Sequence, residues 1–505
     1  MTELTRGNLV DAGRNAFLPR RPLPSITFAI DWWRGDGSPR AFQYTNLVIH
    51  SATTVAVFAL LMLVLGRLEK PRWVIVAAAF FGAAIWACHP IQVQAVTYIV
   101  QRMTSMAALF TILTVVLYIL GRNTGNSGRR WAYFLLAVLC WALGMASKET
   151  AAIAPFLVLL AEYGVLRHGQ DLARSKVDWV VLSLPAVLGL LIVLDIASGI
   201  GPLSDAFLSG YERRDYTLAE RLFTQPRVIV FHFSQILWPL PGRFSLEHQF
   251  VLSTDLLTPG STLSAFLAVI VWCALGLWAV LQKRRRIVGF LLLWVPATLI
   301  IESTFIPLEM VFEHRMYLPS VALAGIAALG IATVLSRSAR LRMVALGGST
   351  VIVCLLVAST SARVPDWRST VTLAQAAVQT SPNSARAWAT LANAYKEQGS
   401  SWDRIRPPMI KALLLDPNQS LALQLQVFWL IEQQRLQEAE QLLDRFGPGA
   451  LRDHRVMNML GMLRLEQRNF EAAITHFEQA LSINVSVPEV RYNLALSYEL
   501  WGKCA

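Results

Sequence analysis

The sequence predicts an all-α protein: a polytopic transmembrane helix bundle followed by a tetratricopeptide (TPR) α-solenoid. Three observations predict it. Hydrophobic residues make up 54% of the 505 residues and charged residues only 15%, against roughly 25% charged in a soluble domain. From 41 to 360 the apolar residues fall into blocks of about 17–25, long enough to cross a bilayer core of about 30 Å. Beyond Arg363 such blocks stop, polar residues become common, and a helical repeat begins. The expected organisation is a polar segment 1–40, a membrane domain 41–360 and a TPR domain 361–505.

About ten spans are expected, at 43–65, 73–88, 104–120, 131–147, 150–166, 178–198, 261–282, 287–304, 317–336 and 343–360. The block 226–240 holds His232, Gln235 and Pro239 and is short for a crossing, so an interfacial or re-entrant helix is expected there. The first forty residues carry six Arg and four acids and lack the apolar core of a cleavable signal.

The net charge of +12 is topology charge rather than a nucleic-acid signal. Basic residues gather in alternate short loops: Arg67, Lys70 and Arg72; Arg122, Arg129 and Arg130; Arg167, Arg174 and Lys176; 283–286; Arg337, Arg340 and Arg342. Lys and Arg mark the cytoplasmic side. Loops 88–103, 148–149, 199–261 and 303–316, and everything after Thr360, then face the other side. The basic 1–40 tail lands outside by the same alternation, against the rule. Cys88, Cys140, Cys273, Cys354 and Cys504 show no CxxC spacing. The first four read as small core hydrophobes.

The outside loops carry ionisable groups at membrane depth: His89, Arg102, Lys148, Glu149, Arg213, Arg214, Asp215, Arg221, Arg227, Glu247, His248, Glu309 and the run Glu313-His314-Arg315. Such groups are costly unless paired or wetted, so they nominate a site. Snorkelling or loop ion pairs are the competing explanation.

In the soluble part Trp388, Leu391, Ala392 and Tyr395 follow the first-helix spacing of a TPR. Met457, Leu460, Gly461 and Arg464 repeat that register, and Ala473, Phe477 and Ala480 supply a second helix. Arg491, Leu494, Ala495 and Tyr498 restart the pattern 34 residues after Met457, the TPR period. The intervening repeat, 420–446, is degenerate but keeps Ala439 and Leu443. Small residues let paired helices approach, Tyr395 and Phe477 fill the space between, and at least three pairs must stack to bury a face. The array stops inside the first helix of a further repeat, so it is expected to be incomplete at Ala505.

The combination resembles the transmembrane-and-TPR O-mannosyltransferase family and its bacterial relatives, within the C-type glycosyltransferase superfamily. Its carriers are Arg21-Pro22-Leu23, Asn46-Leu47, His50, the stretch from His89 to Arg102, Ser147-Lys148-Glu149, Gln225-Pro226-Arg227-Val228, Trp238-Pro239, Glu313-His314-Arg315-Met316-Tyr317-Leu318-Pro319 and Trp367…Leu373…Ser381-Pro382-Asn383. The resemblance implies sugar transfer from a polyprenyl-phosphate carrier to a protein hydroxyl on the non-cytoplasmic face, in a bacterial inner membrane with a periplasmic TPR domain presenting the acceptor. A carboxylate would act as base, and cations would hold the lipid phosphate. The residues it nominates are Glu313, with Asp11 as a weaker substitute, for catalysis, and His89, Arg102, Lys148, Arg227, His314 and Arg315 for the donor phosphate. Gln94 stands where relatives often carry Glu.

One departure is expected to matter. The superfamily carries an acidic pair in the first outside loop, after a first span, and neither is present. Asp11 and Asp31 are lone acids in the sequence. A chain truncated or degenerate at its amino-terminal end, inactive as given, is the expectation. No metal-ligand or nucleotide-binding spacing appears, so a divalent ion is admitted by the chemistry without being indicated. No nucleic-acid partner is implied. Two other readings are a non-enzymatic membrane scaffold whose TPRs bind proteins and a transporter of lipid-linked sugars. No inverted repeat is visible, and the polar residues sit at span ends rather than mid-span, which disfavours the transporter.

Overall fold

The structure is a computed structural model describing residues 5–14, 21–168, 210–211, 214–446, 453–484 and 487–502. The expected span 178–198 and Arg174, Lys176, Arg213 and Cys504 lie outside the described residues. Among the described residues there is no strand. The chain forms two compact units: Met1–Leu246 with Phe250–Trp367, and Arg368–Ala505 with Glu247–Gln249. The division falls at Trp367 rather than at 360. The last membrane helix runs on to Arg363, a 3-10 turn Val364–Arg368 ends it, and Trp367 packs on Tyr98 with ring centroids 5.7 Å apart.

Unit 1 is built from α1 (Arg6–Arg14), α2 (Pro22–Gly35), α3 (Pro39–Leu65), α4 (Arg72–Ala87), α5 (Arg102–Asn123), α6 (Ser127–Met145), α7 (Ala154–Ala161), α8 (Leu218–Leu237), α9 (Ser261–Leu281), α10 (Arg286–Leu299), α11 (Ser320–Leu335) and α12 (Ala339–Arg363). Each expected span within the described residues coincides with helix. Among the described residues five stretches are long and apolar enough to cross a membrane, or six if the bent pair Arg72–Ala87 and Pro90–Thr97 is one span. The apolar α10 and α11 are shorter because the chain leaves the helix at their outer ends, where polar loops begin.

The core lies where α3, α4 and α11 meet. Val57, Leu60, Leu61 and Val64 of α3 pack against Ala78 and Ala79 of α4 and Ala324 and Ala328 of α11. Gly82 permits that approach, since a Cβ there would stand 2.7 Å from the Ala328 methyl. By contrast α9 and α12 are apolar but only 17% and 11% buried, as expected of helices turned to lipid.

The basic loops assemble at one end of the unit. Arg67 binds Asn123, Lys70 donates to Ser336 Oγ at 2.8 Å, Arg122 and Arg167 share Glu162, and Arg286 binds the Arg167 carbonyl. The opposite, outer end carries the polar loops. The block 226–240 belongs to α8, which starts earlier than expected because Thr217 and Glu220 form a capping box. Both ends of α8 touch the outer end: Arg221 near its start reaches the Glu302 carbonyl at 2.7 Å, and the Ile236 carbonyl near its finish lies 3.0 Å from His89 Nε2. The described residues of the 1–40 segment are mostly helical, in α1 and α2, and α2 packs into this unit with Leu23 N–H on the Ala146 carbonyl at 3.2 Å.

Unit 2 stacks α13 (Thr370–Thr380), α14 (Ala385–Glu397), α15 (Trp402–Leu415), α16 (Ser420–Glu432), α17 (Leu436–Leu443), α18 (His454–Glu466), α19 (Phe470–Ile483) and α20 (Pro488–Leu500). The turn inside each helix pair repeats in the backbone. Positive φ occurs at Gly399, Gln434, Arg468 and Gly502, spaced 35, 34 and 34 residues apart. The degenerate repeat is thus a true repeat in geometry. Ala392, Ala473, Phe477 and Ala480 are fully buried, Leu391 nearly so, and Trp388, Tyr395 and Leu460 pack at the edges of these cores. Gly461 is where two helices touch: a Cβ there would lie 2.5 Å from the Phe477 ring.

Gly461→Val therefore overpacks this contact at a cost of about 1–3 kcal/mol. Limited proteolysis of the full chain is expected to cut within 454–484 at least about five-fold faster; an unchanged cutting rate would refute the close approach.

Candidate functional site

The outer end draws together α2, the segment 88–104, the α6–α7 junction, α8 and the segment 298–317. Local sequence explains why the chain turns there. Pro90 breaks α4 from its continuation, Ala146 and Ser147 close α6 onto the Gly144 carbonyl, and Glu313–Met316 is a 3-10 turn. Two tryptophans anchor that turn from below, Trp86 Nε1 on the Tyr317 carbonyl and Trp294 Nε1 on the Leu318 carbonyl, each at 3.1 Å.

Three buried ion pairs organise the site. Arg102 meets Asp31 at 2.5 Å, and its guanidinium also donates to Asn46 Oδ1, Thr27 Oγ1 and the Phe42 carbonyl. Lys148 Nζ meets Glu302 at 2.6 Å and Thr104 Oγ1 at 3.0 Å. Arg363 pairs with Glu313, whose other oxygen accepts from the Ser245 N–H at 2.7 Å. A fourth cation, Arg221, is fully buried and holds the carbonyls of Glu302, Thr304 and Leu308, shaping the loop before Glu313.

Around Lys148 and Glu302 a compact polar cluster forms. His314 donates its backbone N–H to Gln94 Oε1 at 2.8 Å, and its ring Nδ1 lies 3.2 Å from the same oxygen. Arg315 binds the Met310 and Glu309 carbonyls through its terminal nitrogens. Burial pushes His314 well below the usual histidine range, with Lys148 and Arg315 adding to the effect. Burial also pushes Arg315 down to about 10, opposed by Glu302. Two buried donors in this cluster, Arg315 Nε and Gln94 Nε2, have no acceptor among the described residues. A buried donor without an acceptor costs about 1–3 kcal/mol, which a bound anion or water would recover.

A cavity of about 870 Å³ lies between the ends of α4 and α8 and the walls of α11 and α12. Its lining is mainly apolar, including Ile236, Trp238, Trp272 and Leu323, with His89, Gln92, Ser320 and Ser359 as polar members. Both His89 nitrogens are engaged: Nδ1 accepts from the Ile91 N–H at 3.1 Å and Nε2 faces the Ile236 carbonyl at 3.0 Å. That arrangement requires the neutral ring, and burial lowers its pKa to about 4.

The structure brings Lys148, His314 and Arg315 together and sets His89 on the cavity wall. Arg102 is turned to Asp31, and its described hydrogen bonds are all inside the protein. Arg227 stands apart, holding Val251 O and Ser253 Oγ and stacking on Phe250. Glu313 is fully buried in its pair with Arg363. Asp11 is exposed on the short α1. Asp31, a lone acid in the sequence, has two arginine partners, Arg102 and Arg34. Glu302 was not among the expected site residues, although an acid near the end of an apolar block is the same signal that nominated Lys148. Arg363 was also missed; it acts through a contact 50 residues away in sequence, with Glu313. Among the described residues no group of three His, Cys, Asp or Glu side chains is placed to hold a metal ion.

The tetratricopeptide repeat family model matches residues 454–484. Protein O-mannosyl-transferase TMTC2 of Homo sapiens is 32% identical over 130 residues, covering 26% of this chain and 15% of the relative. The Drosophila melanogaster Tmtc2 is 31% identical over 150 residues, 29% of this chain and 15% of the relative. For TMTC4 of Homo sapiens the figures are 29% over 138 residues, 26% and 19%. The chain is a relative of these protein O-mannosyl-transferases. It is an integral membrane protein with a TPR domain, as the apolar helices and the relatives together indicate. The matched stretch spans 15% of human TMTC2 and 19% of human TMTC4.

Removing Asp31 strands a buried guanidinium. Asp31→Ala is expected to cost about 3–5 kcal/mol, read as a lower melting temperature of the full chain in detergent, and Arg102→Leu in the same chain should restore much of it. If the double variant melts no higher than Asp31→Ala, the pair is not what holds α2 to α5. His89 gives a pH test. Its folded pKa lies below the ordinary value of 6.5. Between pH 6.5 and about 4 the unfolded chain binds a proton that the folded chain refuses. Stability is therefore expected to fall as pH drops through this window and to be flat in this respect above it. His89→Gln should flatten the fall in melting temperature; an unchanged slope would place His89 in contact with solvent.

Proposed function

We propose that unit 1 binds a polyprenyl-phosphate-linked sugar at its outer end and transfers the sugar, mannose by analogy with its named relatives, to a hydroxyl of a protein acceptor presented by the TPR unit. The observation that carries this reading is the pair of unpartnered buried donors, Arg315 Nε and Gln94 Nε2, beside Lys148 and His314. They suit a phosphate oxygen, and charge-assisted hydrogen bonds to phosphate are the strong ones. The cavity lined by His89, Gln92 and Trp238 suits the apolar tail.

In this reaction the acceptor oxygen attacks the anomeric carbon, the carbon–oxygen bond to phosphate breaks, and polyprenyl phosphate leaves. Arg315 and Lys148 stabilise the charge on the leaving phosphate. Glu302 is the carboxylate this cluster offers as base for the acceptor proton. Glu313, locked to Arg363, positions the turn carrying His314 and Arg315. The alternation of basic loops supports an extracytoplasmic outer end, and a TPR unit on that side of a bacterial inner membrane is part of this proposal.

The test is transfer of labelled mannose from polyprenyl-phosphate-mannose to serine- and threonine-containing peptides by the purified full chain. Wild type is expected to transfer. Arg315→Gln is expected to lose about 10²–10³-fold in rate and to weaken donor binding, while a near-wild-type melting temperature shows the fold intact. Neither transfer nor donor binding by wild type would overturn the proposal. Protein capture by the TPR unit with no donor binding would establish a scaffold instead.

A further inference from the structure

At the basic end of unit 1, opposite the sugar site, a second groove lies on the outer surface of α3 and α4. It measures about 640 Å³ and is lined by Phe58, Arg72, Trp73, Val76, Phe80 and Phe81. Its aromatic and aliphatic walls are exposed, Trp73 by 46% and Phe80 by 59%, which on a membrane helix means exposure to lipid. From Arg72 to Phe80 the helix climbs about 12 Å, so the groove runs from the level of a head group into the upper acyl region.

The cations at its mouth are unspent. Arg72 lines the groove, and its side chain makes no hydrogen bond or ion pair among the described residues. Arg342 lies over the Trp73 ring at 5.4 Å. Its Nε is held by the Leu335 carbonyl at 3.1 Å, while its terminal nitrogens have no hydrogen-bond partner among the described residues. The two loops here, 66–72 and 336–342, carry Arg67, Lys70, Arg72, Arg337, Arg340 and Arg342 against a single acid, Glu69. Lys70 joins them through Ser336. Glu69 forms no ion pair among the described residues, so it does not neutralise Arg72.

We propose that this groove is a binding site for one anionic phospholipid of the leaflet facing the basic loops. Arg72 and Arg342 hold the phosphate from two sides, Trp73 packs at the glycerol level, and one acyl chain lies along Phe58, Val76 and Phe80. Charge complementarity selects the lipid: a zwitterionic head group brings its own cation to a site that already has two. Two arginines on adjacent helices give the phosphate a fixed seat, which distinguishes the site from the general attraction of a basic surface to an anionic leaflet.

The test is native mass spectrometry of the purified full chain titrated with phosphatidylglycerol or phosphatidylcholine of matched acyl chains. Wild type is expected to retain phosphatidylglycerol at least about ten-fold more tightly, as two guanidinium–phosphate contacts allow. Arg72 touches no polar partner, so Arg72→Gln should fold normally and lose about five-fold. Adding Arg342→Gln should abolish the preference. The control Arg129→Gln with Arg130→Gln removes the same charge from another basic loop and should leave the preference intact, and glycerol phosphate without acyl chains should not compete. Equal retention of the two lipids by wild type, an equal loss in the control pair, or full competition by glycerol phosphate would each overturn the proposal.

Discussion

The outer end of the bundle depends on one constraint: a charge at membrane depth must find a counter-charge or a set of carbonyls inside the protein. Asp31–Arg102, Glu302–Lys148 and Glu313–Arg363 each meet it with a buried pair. Each pair joins segments far apart in sequence. Asp31 ties α2 to α5, Glu302 ties the end of α10 to the α6–α7 junction, and Glu313 ties the 3-10 turn to the end of α12. Losing one partner leaves an uncompensated charge, so the pairs lock the helix ends more firmly than their net energy suggests. The loops between α10 and α11 can then leave helical geometry, because Arg221 satisfies three of their carbonyls.

With the ends locked, the remaining polar atoms become chemically available. The cluster of Lys148, His314 and Arg315 is held in place by contacts inside the protein, and its two buried donors have no acceptor among the described residues. The apolar cavity arises for a related reason. Its wall from Leu237 to Pro241 follows the end of α8, where Trp238 and two prolines stop the helix. In the proposed reaction the polar cluster would take the phosphate and the apolar cleft the prenyl tail.

Unit 2 rests on contact rather than charge. Gly461 against Phe477 sets how closely α18 and α19 approach, and the alanines at 392, 412, 422, 473 and 480 do the same elsewhere. The left-handed turn residue recurs at TPR spacing even where it is Gln434 or Arg468. Stacking can therefore impose a turn that the local sequence disfavours.

The sequence by itself determined the helical class, the apolar blocks that form most of the described membrane helices, the basic loops that gather at one end, and the TPR register. These follow from hydrophobic block length and a fixed repeat, both of which are local quantities. It also nominated Lys148, His314 and Arg315, because charges beside apolar blocks stand out. Tertiary structure alone decided which charges are spent. Arg102 and Lys148 look alike in the chain, yet Arg102 is enclosed by Asp31, Asn46 and Thr27, whereas Lys148 lies beside two unpartnered donors. Asp31 and Glu302 gained their meaning only from partners 71 and 154 residues away. Ion pairing depends on which segments fold together, and no local pattern encodes that distance.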